Sequence, residues 1–283
     1  MTKSQLARAW ILLGTMSLMA SGLLAIVIIG AKIPLFKSMI GDLEWVRWAL
    51  VVHVNLANLV WFTSMPIAIS HLGGQTNDRK HRSTLAPIGF LFSIVGVLLF
   101  SSSFPNPTSQ VILSNYIPIV THDHFQVGLL LFLVGAVLNY LSPESILPLR
   151  SSNTHSALGL TACRFGIWIG SVFFLVAVLT LLLGLRSARE LQFASTKLFY
   201  ELAFWGGGHL LQHSSSVFLV VVWVFLISIS VGRSPFTRGE LFPVFGWLGL
   251  PLLALPPLLL SSVTNNDYRE GFTNLMRWGI APP

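Results

Sequence analysis

Seven long, unbroken apolar segments constrain this chain more than any other feature of its sequence. A helix needs about 20 apolar residues to cross a bilayer, and only helices or closed barrels pair all their backbone polar groups within lipid. The apolar residues run continuously rather than alternating with polar ones, which favours helices. The sequence therefore predicts an all-α transmembrane helix bundle that forms a single membrane domain over residues 1–283. The predicted spans are residues 9–31, 46–70, 85–103, 124–141, 157–185, 198–230 and 241–263.

The composition agrees with a membrane protein and excludes an ordinary soluble domain. Only 10% of the residues are charged, whereas soluble domains carry about 25%. The net charge of +7 is scattered among the connecting loops, a pattern typical of loops beside lipid headgroups. We therefore expect the lipid bilayer as a partner and no nucleic acid.

Three histidines lie inside predicted spans, where ionisable residues are rare and mark candidate functional sites. His53 lies in the second span, and His209 and His213 lie in the sixth. At 1.5 Å per residue, His53 is about 12 Å past Trp45 and His209 is about 16 Å past Leu198. The second and sixth spans cross in the same direction, so the sequence predicts a similar depth for His53 and His209, as a shared layer of cofactors requires.

The segment FWGGGHLLQH, residues 204–213, combines helix-weakening glycines with two histidines. His209 and His213 are four residues apart and share one helix face, the spacing with which two imidazoles can hold one metal ion. Imidazole also serves as an axial ligand of haem iron. Small residues at positions 206–208 let something bulky approach the helix backbone.

Two interpretations of these residues stay open at this point. A histidine inside a membrane helix often hydrogen-bonds to a neighbouring helix, and glycines often mark close helix packing. Alternatively, Gly206, Gly207 and Gly208 make room for a porphyrin face, and the histidines bind haem iron, copper or non-haem iron.

Three stretches resemble subunit I of the haem–copper oxidase superfamily, in particular its B-type oxidases and the related nitric oxide reductases. The stretch LVVHVNLANLVWFTS (50–64) resembles the second helix of that family, and LFYELAFWGGGHLLQHSSSVF (198–218) resembles the sixth. The stretch NYIPIVTHDHFQVGLLLFLVGAVL (115–138) resembles the segment that joins helices three and four. The resemblance covers nearly the whole chain, but only helices I–VII of the family's twelve.

The resemblance implies a role for each histidine. His53 would be an axial ligand of a low-spin haem. His209 would bind a non-haem metal, copper or iron, that faces a high-spin haem. Gly206, Gly207 and Gly208 would lie beside the cofactor.

Two departures from the family pattern concern the metal. Asn265 and Asn266 stand near the place of a His-His pair on helix seven, and His213 stands where the family carries a tyrosine or a metal-binding glutamate. The resemblance then implies a metal site of His209, His213, Asn265 and Asn266, with the two histidines as catalytic residues. The absent tyrosine favours nitric oxide over dioxygen as the substrate.

The function implied is that of a respiratory oxidoreductase in a bacterial plasma membrane. Electrons from cytochrome c or a quinol would pass through the low-spin haem to the second centre, which reduces dioxygen or nitric oxide. Helix ten, which supplies further haem ligands in the family, would come from other oxidase subunits or from a chain that supplies the missing C-terminal helices. The alternatives are a non-catalytic haem-binding sensor or assembly protein, and a transporter without a cofactor.

Overall fold

The computed structural model describes residues 1–34, 43–72, 84–104, 106, 108–143 and 160–280. Seven of its helices are long and apolar enough to cross a membrane. The prediction of an all-α transmembrane bundle with about seven spans is therefore confirmed, and the chain is an integral membrane protein. Most of the predicted loops 72–84 and 142–156, and residues 157–159 of the fifth predicted span, lie outside the described residues.

The helices follow the predicted spans closely. Two of these elements are composite, since α2 has a π-helical centre and α7 has a 3₁₀ centre, and α8 is an additional helix after the last span. The bounds are α1 Lys3–Gly30, α2 Leu43–Val54 with Asn55–Trp61 and Phe62–Leu72, α3 Leu85–Ser102, α4 Asp123–Tyr140, α5 Leu160–Arg189, α6 Thr196–Val231, α7 Arg238–Gly249 with Leu250–Ala254 and Leu255–Leu259, and α8 Asn266–Ile280.

Glycines bring α3 and α4 into close contact. A Cβ added at Gly96 would lie 2.5 Å from the carbonyl oxygen of Gly128, and one added at Gly89 would lie 2.6 Å from that of Gly135. Small residues at helix crossings are a common means of association within membranes. Here they fix α3 against α4, while α1 packs on α2 and α5 packs on α6.

Buried hydrogen bonds act both within and between these helix pairs. The Tyr140 hydroxyl on α4 donates to the Thr63 carbonyl on α2 at 3.1 Å, and the Ser214 hydroxyl on α6 donates to the Gly170 carbonyl on α5 at 2.8 Å. Within hydrocarbon, hydroxyl groups have no water to bond with, so carbonyl groups of neighbouring helices accept their hydrogen bonds. The first bond fixes α4 to α2 and the second fixes α6 to α5, while α6 packs directly against α2, so the two helices that carry the histidines are neighbours.

Two elements near the site were not predicted from the sequence. A short antiparallel pairing joins β1, Val111–Ile112, to β2, Ile119–Val120, and the turn between these strands reaches α6. Helix α8 follows the last span, and its apolar face packs against α6. The buried residues of that face are Tyr268, Phe272, Leu275 and Gly279.

Candidate functional site

His53 has one ring nitrogen held by α1 and one without a partner. Its Nδ1 lies 2.8 Å from the Ser21 carbonyl oxygen and 2.8 Å from the Ser21 hydroxyl. The Ser21 hydroxyl also lies 3.1 Å from the His53 carbonyl oxygen, to which it donates. Since a carbonyl oxygen only accepts, Nδ1 carries the hydrogen and Nε2 keeps its lone pair. The half-buried side chain therefore presents Nε2 with no hydrogen-bond partner among the described residues.

His209 is almost fully buried, with a relative exposure of 1%, and both of its ring nitrogens have partners. Its Nδ1 lies 2.7 Å from the Trp205 carbonyl oxygen, so Nδ1 donates and Nε2 accepts. The Tyr116 hydroxyl lies 2.8 Å from Nε2, and the Thr273 hydroxyl lies 3.4 Å from the same atom. The nitrogen that would bind a metal is thus covered by a tyrosine.

His213 has the opposite arrangement of donor and acceptor. Its Nε2 donates to the Leu248 carbonyl of α7 at 2.7 Å, and its ring lies against Phe173, with centroids 4.1 Å apart. The remaining nitrogen, Nδ1, is buried and has no hydrogen-bond partner in the part of the chain that the structure describes. His209 and His213 share a helix, as predicted, but they hydrogen-bond to different elements.

Each of the three glycines accommodates a different neighbour. An added Cβ at Gly206 would meet Tyr268 and Phe272 of α8, and one at Gly207 would lie 2.5 Å from Leu181 Cγ of α5. An added Cβ at Gly208 would lie 2.5 Å from the Cβ of Tyr116. In this arrangement, protein side chains occupy the space that the sequence analysis assigned to a porphyrin.

Asn265 and Asn266 are exposed, unlike the two buried histidines of α6. The Asn265 side-chain oxygen accepts from the Asp267 backbone N–H at 3.0 Å, in the manner of a helix N-cap. The structure therefore gives Asn265 a role at the beginning of α8 and does not bring the asparagines together with His209 and His213 as a ligand set.

The residues fit a haem better than a complete non-haem metal centre. His53 has the features of an axial ligand, because a carbonyl fixes its tautomer through Nδ1 and leaves Nε2 available. Within the described part of the chain, no group of three or more His, Cys, Asp or Glu side chains lies close enough to hold a metal ion. His209 and His213 alone do not complete such a centre.

A cavity of about 940 Å³ opens between α2, α6, α8 and the turn before β2. Cofactor and ligand sites are usually roughly 300–1,000 Å³ in volume. The π-helical segment of α2 forms part of its wall, and such segments occur frequently at functional sites. The polar residues that line the cavity are Asn55, Asn58, Thr63, Ser114, Asn115, Tyr116, Gln212, Ser214, Ser215, Ser216, Thr273 and Arg277.

Tyr116, which the sequence analysis did not single out, lines this cavity and also covers His209. Its φ is +71°, in the left-handed region that residues with a Cβ rarely adopt. The Ile117 N–H donates to the Asn115 carbonyl at 2.9 Å, so Tyr116 is the central residue of a γ-turn in its rare, strained form. No sequence signal marks such a turn, because it lacks glycine and asparagine at its centre.

Two bacterial proteins are similar to this chain. An uncharacterised protein of Rickettsia prowazekii is 27% identical over 312 residues, which cover 99% of the chain and 58% of that protein. An uncharacterised protein of Aquifex aeolicus is 24% identical over 220 residues, which cover 77% of the chain and 52% of that protein. The chain thus corresponds to between half and three-fifths of these relatives. No protein-family model matches the chain, and no solved structure matches it.

Proposed function

We propose that the chain is the haem-binding N-terminal part of a bacterial respiratory oxidoreductase that resembles haem–copper oxidase subunit I. Electrons would come from cytochrome c or a quinol, and the substrate would be nitric oxide or dioxygen. The observation that carries the proposal is the His53 imidazole, with Nδ1 bonded to Ser21 and Nε2 without a partner among the residues that the structure describes.

This arrangement matches the requirements of a haem ligand. A metal-binding histidine usually donates its second ring N–H to a carbonyl or carboxylate, which orients the ring and fixes the tautomer. The Ser21 carbonyl performs that task for His53, at 2.8 Å. A histidine that only joined two helices would not need to leave its other nitrogen open on a half-buried face.

Two polar residues that line the cavity support completion by further helices. Asn58 and Gln212 lie inside membrane spans and are exposed. A side-chain amide in contact with hydrocarbon is unfavourable, so these residues require a polar cavity or another helix against them. The greater length of the two relatives supplies a source for such helices, in the same or a separate chain.

The bound haem would supply electron transfer and gas binding. The chain's own residues would hold and orient it: His53 ligates, and Ser21 fixes the imidazole. The described residues do not complete a site for copper or non-haem iron.

A non-catalytic haem-binding protein, with a sensing or assembly role, is the second candidate. The observation that favours it is the hydrogen bond from Tyr116 to His209 Nε2. This bond covers the nitrogen that would bind the second metal if the chain were an oxidase. The two candidates share the haem on His53 and differ in whether a gas is bound and reduced.

An optical experiment on the protein purified from membranes separates the candidates. Reduced-minus-oxidised haem bands that shift with nitric oxide or carbon monoxide are the result expected for the oxidoreductase. Haem bands that neither gas shifts would replace it with the second candidate. A preparation without haem bands would overturn both and leave a transporter without a cofactor, for which the cavity would be the transport site.

A further inference from the structure

We infer that Tyr116 is a gate between the cavity and His209. In the closed arrangement its hydroxyl occupies His209 Nε2, and a metal-bearing ligand in the cavity reaches that nitrogen only when Tyr116 moves. The nature of this ligand rests on the proposed function, whereas the gate itself rests on the geometry of Tyr116.

The first support is that Tyr116 blocks the position of His209 that a metal would use. Nδ1 is already committed to the Trp205 carbonyl at 2.7 Å, so Nε2 is the ring atom left for a ligand. The Tyr116 hydroxyl lies 2.8 Å from it, and the two rings lie 4.5 Å apart. A ligand at Nε2 must therefore displace this hydroxyl.

The second support is the strained turn that presents the tyrosine. Residues with positive φ that are not glycine store conformational strain and are concentrated at functional sites. The turn is held by the Ile117 N–H on the Asn115 carbonyl at 2.9 Å and by the Ser114 hydroxyl on the Ile117 carbonyl at 2.6 Å. A rotation within these few residues relieves the strain and withdraws the ring, without moving a transmembrane helix.

The third support is the fit between Tyr116 and Gly208. An added Cβ at Gly208 would lie 2.5 Å from both Cβ and Cγ of Tyr116. Tyr116 reaches His209 because residue 208 has no side chain. The last glycine of FWGGGHLLQH therefore has a specific role, which is to let the gate close one residue before the histidine that it covers.

Labelling with diethyl pyrocarbonate tests the gate without any cofactor. The reagent modifies imidazole nitrogens with a free lone pair, and mass spectrometry of fragmented peptides gives a rate for each histidine. In the haem-free protein, Tyr116→Phe is expected to raise the labelling rate of His209 about three- to tenfold. This factor corresponds to the net free energy of a typical hydrogen bond. The rate at His53 is the internal reference and should stay constant.

Tyr268→Phe is the matched control, because Tyr268 packs on Gly206 much as Tyr116 packs on Gly208, and its hydroxyl has no hydrogen bond to His209. A second pair, Gly208→Ala and Gly206→Ala, displaces one tyrosine at a time. Gly208→Ala is expected to raise the His209 rate and Gly206→Ala to leave it unchanged. If the alanine variants fail to fold, the phenylalanine pair decides.

An unchanged His209 rate in Tyr116→Phe, or an equal rise in Tyr268→Phe, would overturn the gate. This outcome differs from failure of the proposed function, which appears as an absence of haem bands in the purified protein.

Discussion

His53 and His209 are both imidazoles on transmembrane helices, but their surroundings differ in one decisive respect. Each has Nδ1 fixed by a backbone carbonyl, that of Ser21 for His53 and that of Trp205 for His209. Beyond that, His53 is half-buried with Nε2 open, whereas His209 is 1% exposed with Nε2 covered by Tyr116. Among the described residues, the same side chain thus leaves Nε2 without a partner at one site and has it covered at the other.

The difference arises from what each helix meets. The α1 helix presents Ser21 to His53 and leaves the opposite side of the ring open. The α6 helix meets Leu181 of α5, Tyr268 of α8 and Tyr116 of the β1–β2 turn, each beside one glycine. Each of the three glycines of α6 thus admits one protein neighbour. This is the close packing that one of the two interpretations of FWGGGHLLQH expects.

Replacement of His53 should have the largest effect. His53→Ala removes the open nitrogen and is expected to lower haem affinity more than about a hundredfold, the upper end of losses caused by outer-shell partners alone. Haem content per protein, measured from the pyridine haemochrome spectrum, checks this. His124→Ala, which removes an exposed imidazole in the first turn of α4, should retain its haem. Retention of haem by His53→Ala would remove the basis for treating the two histidines differently.

Crowding along α6 should appear as a stability effect. Gly207→Ala places a Cβ 2.5 Å from Leu181 Cγ and 3.0 Å from the Ala177 carbonyl oxygen. Overpacking of this kind costs about 1–3 kcal/mol in free energy of unfolding. Denaturation in mild detergent measures the loss.

Gly246→Ala is the control for Gly207→Ala, because nothing lies within 4 Å of its added Cβ. The double variant Gly207→Ala with Leu181→Ala should regain part of the lost stability, since it removes one of the two clashes. Equal stability of the Gly207 and Gly246 variants would show that α6 is not packed as tightly as the structure indicates.

Ser21→Ala should weaken haem binding less than loss of His53. The hydroxyl contact with Nδ1 disappears, but the Ser21 carbonyl stays as the acceptor. Loss of such a supporting contact is expected to lower haem affinity about tenfold. Ser17→Ala is matched to it, because Ser17 is also buried on α1, whereas the described hydrogen bonds of the His53 ring go to Ser21. A titration with haemin that gives equal affinities for both variants would argue against a role of the Ser21 hydroxyl in orienting the ring.

The smallest predicted effect concerns Asn265, outside the comparison of the two histidines. Asn265→Ala removes the cap on the Asp267 N–H and should cost about 1 kcal/mol in stability, with no change in haem content. Asn265→Asp keeps a capping oxygen and should keep the stability. Loss of a bound metal or of haem in either variant would restore Asn265 as a ligand candidate.

Sequence reasoning predicted the spans well, whereas the ligand roles of the histidines stay predictions. Hydropathy alone locates the seven spans. A run of about twenty apolar residues is long enough to cross the bilayer, and a helix pairs all of its backbone polar groups there. The amphipathic α8 was missed although Tyr268, Phe272 and Leu275 recur at helical spacing, because its mean hydropathy is too low for a span. The positive φ of Tyr116 was not predictable, since tertiary contacts override the preference of tyrosine for negative φ.

A haem footprint on the two histidines tests the central claim most directly. The protein is labelled with diethyl pyrocarbonate before and after haemin is added, and modification of His53 and His209 is compared by mass spectrometry. The account predicts that His53 is labelled in the haem-free protein and protected by haem, while His209 stays poorly labelled in both. Strong labelling of His209 without haem, or protection of His209 in place of His53, would contradict it.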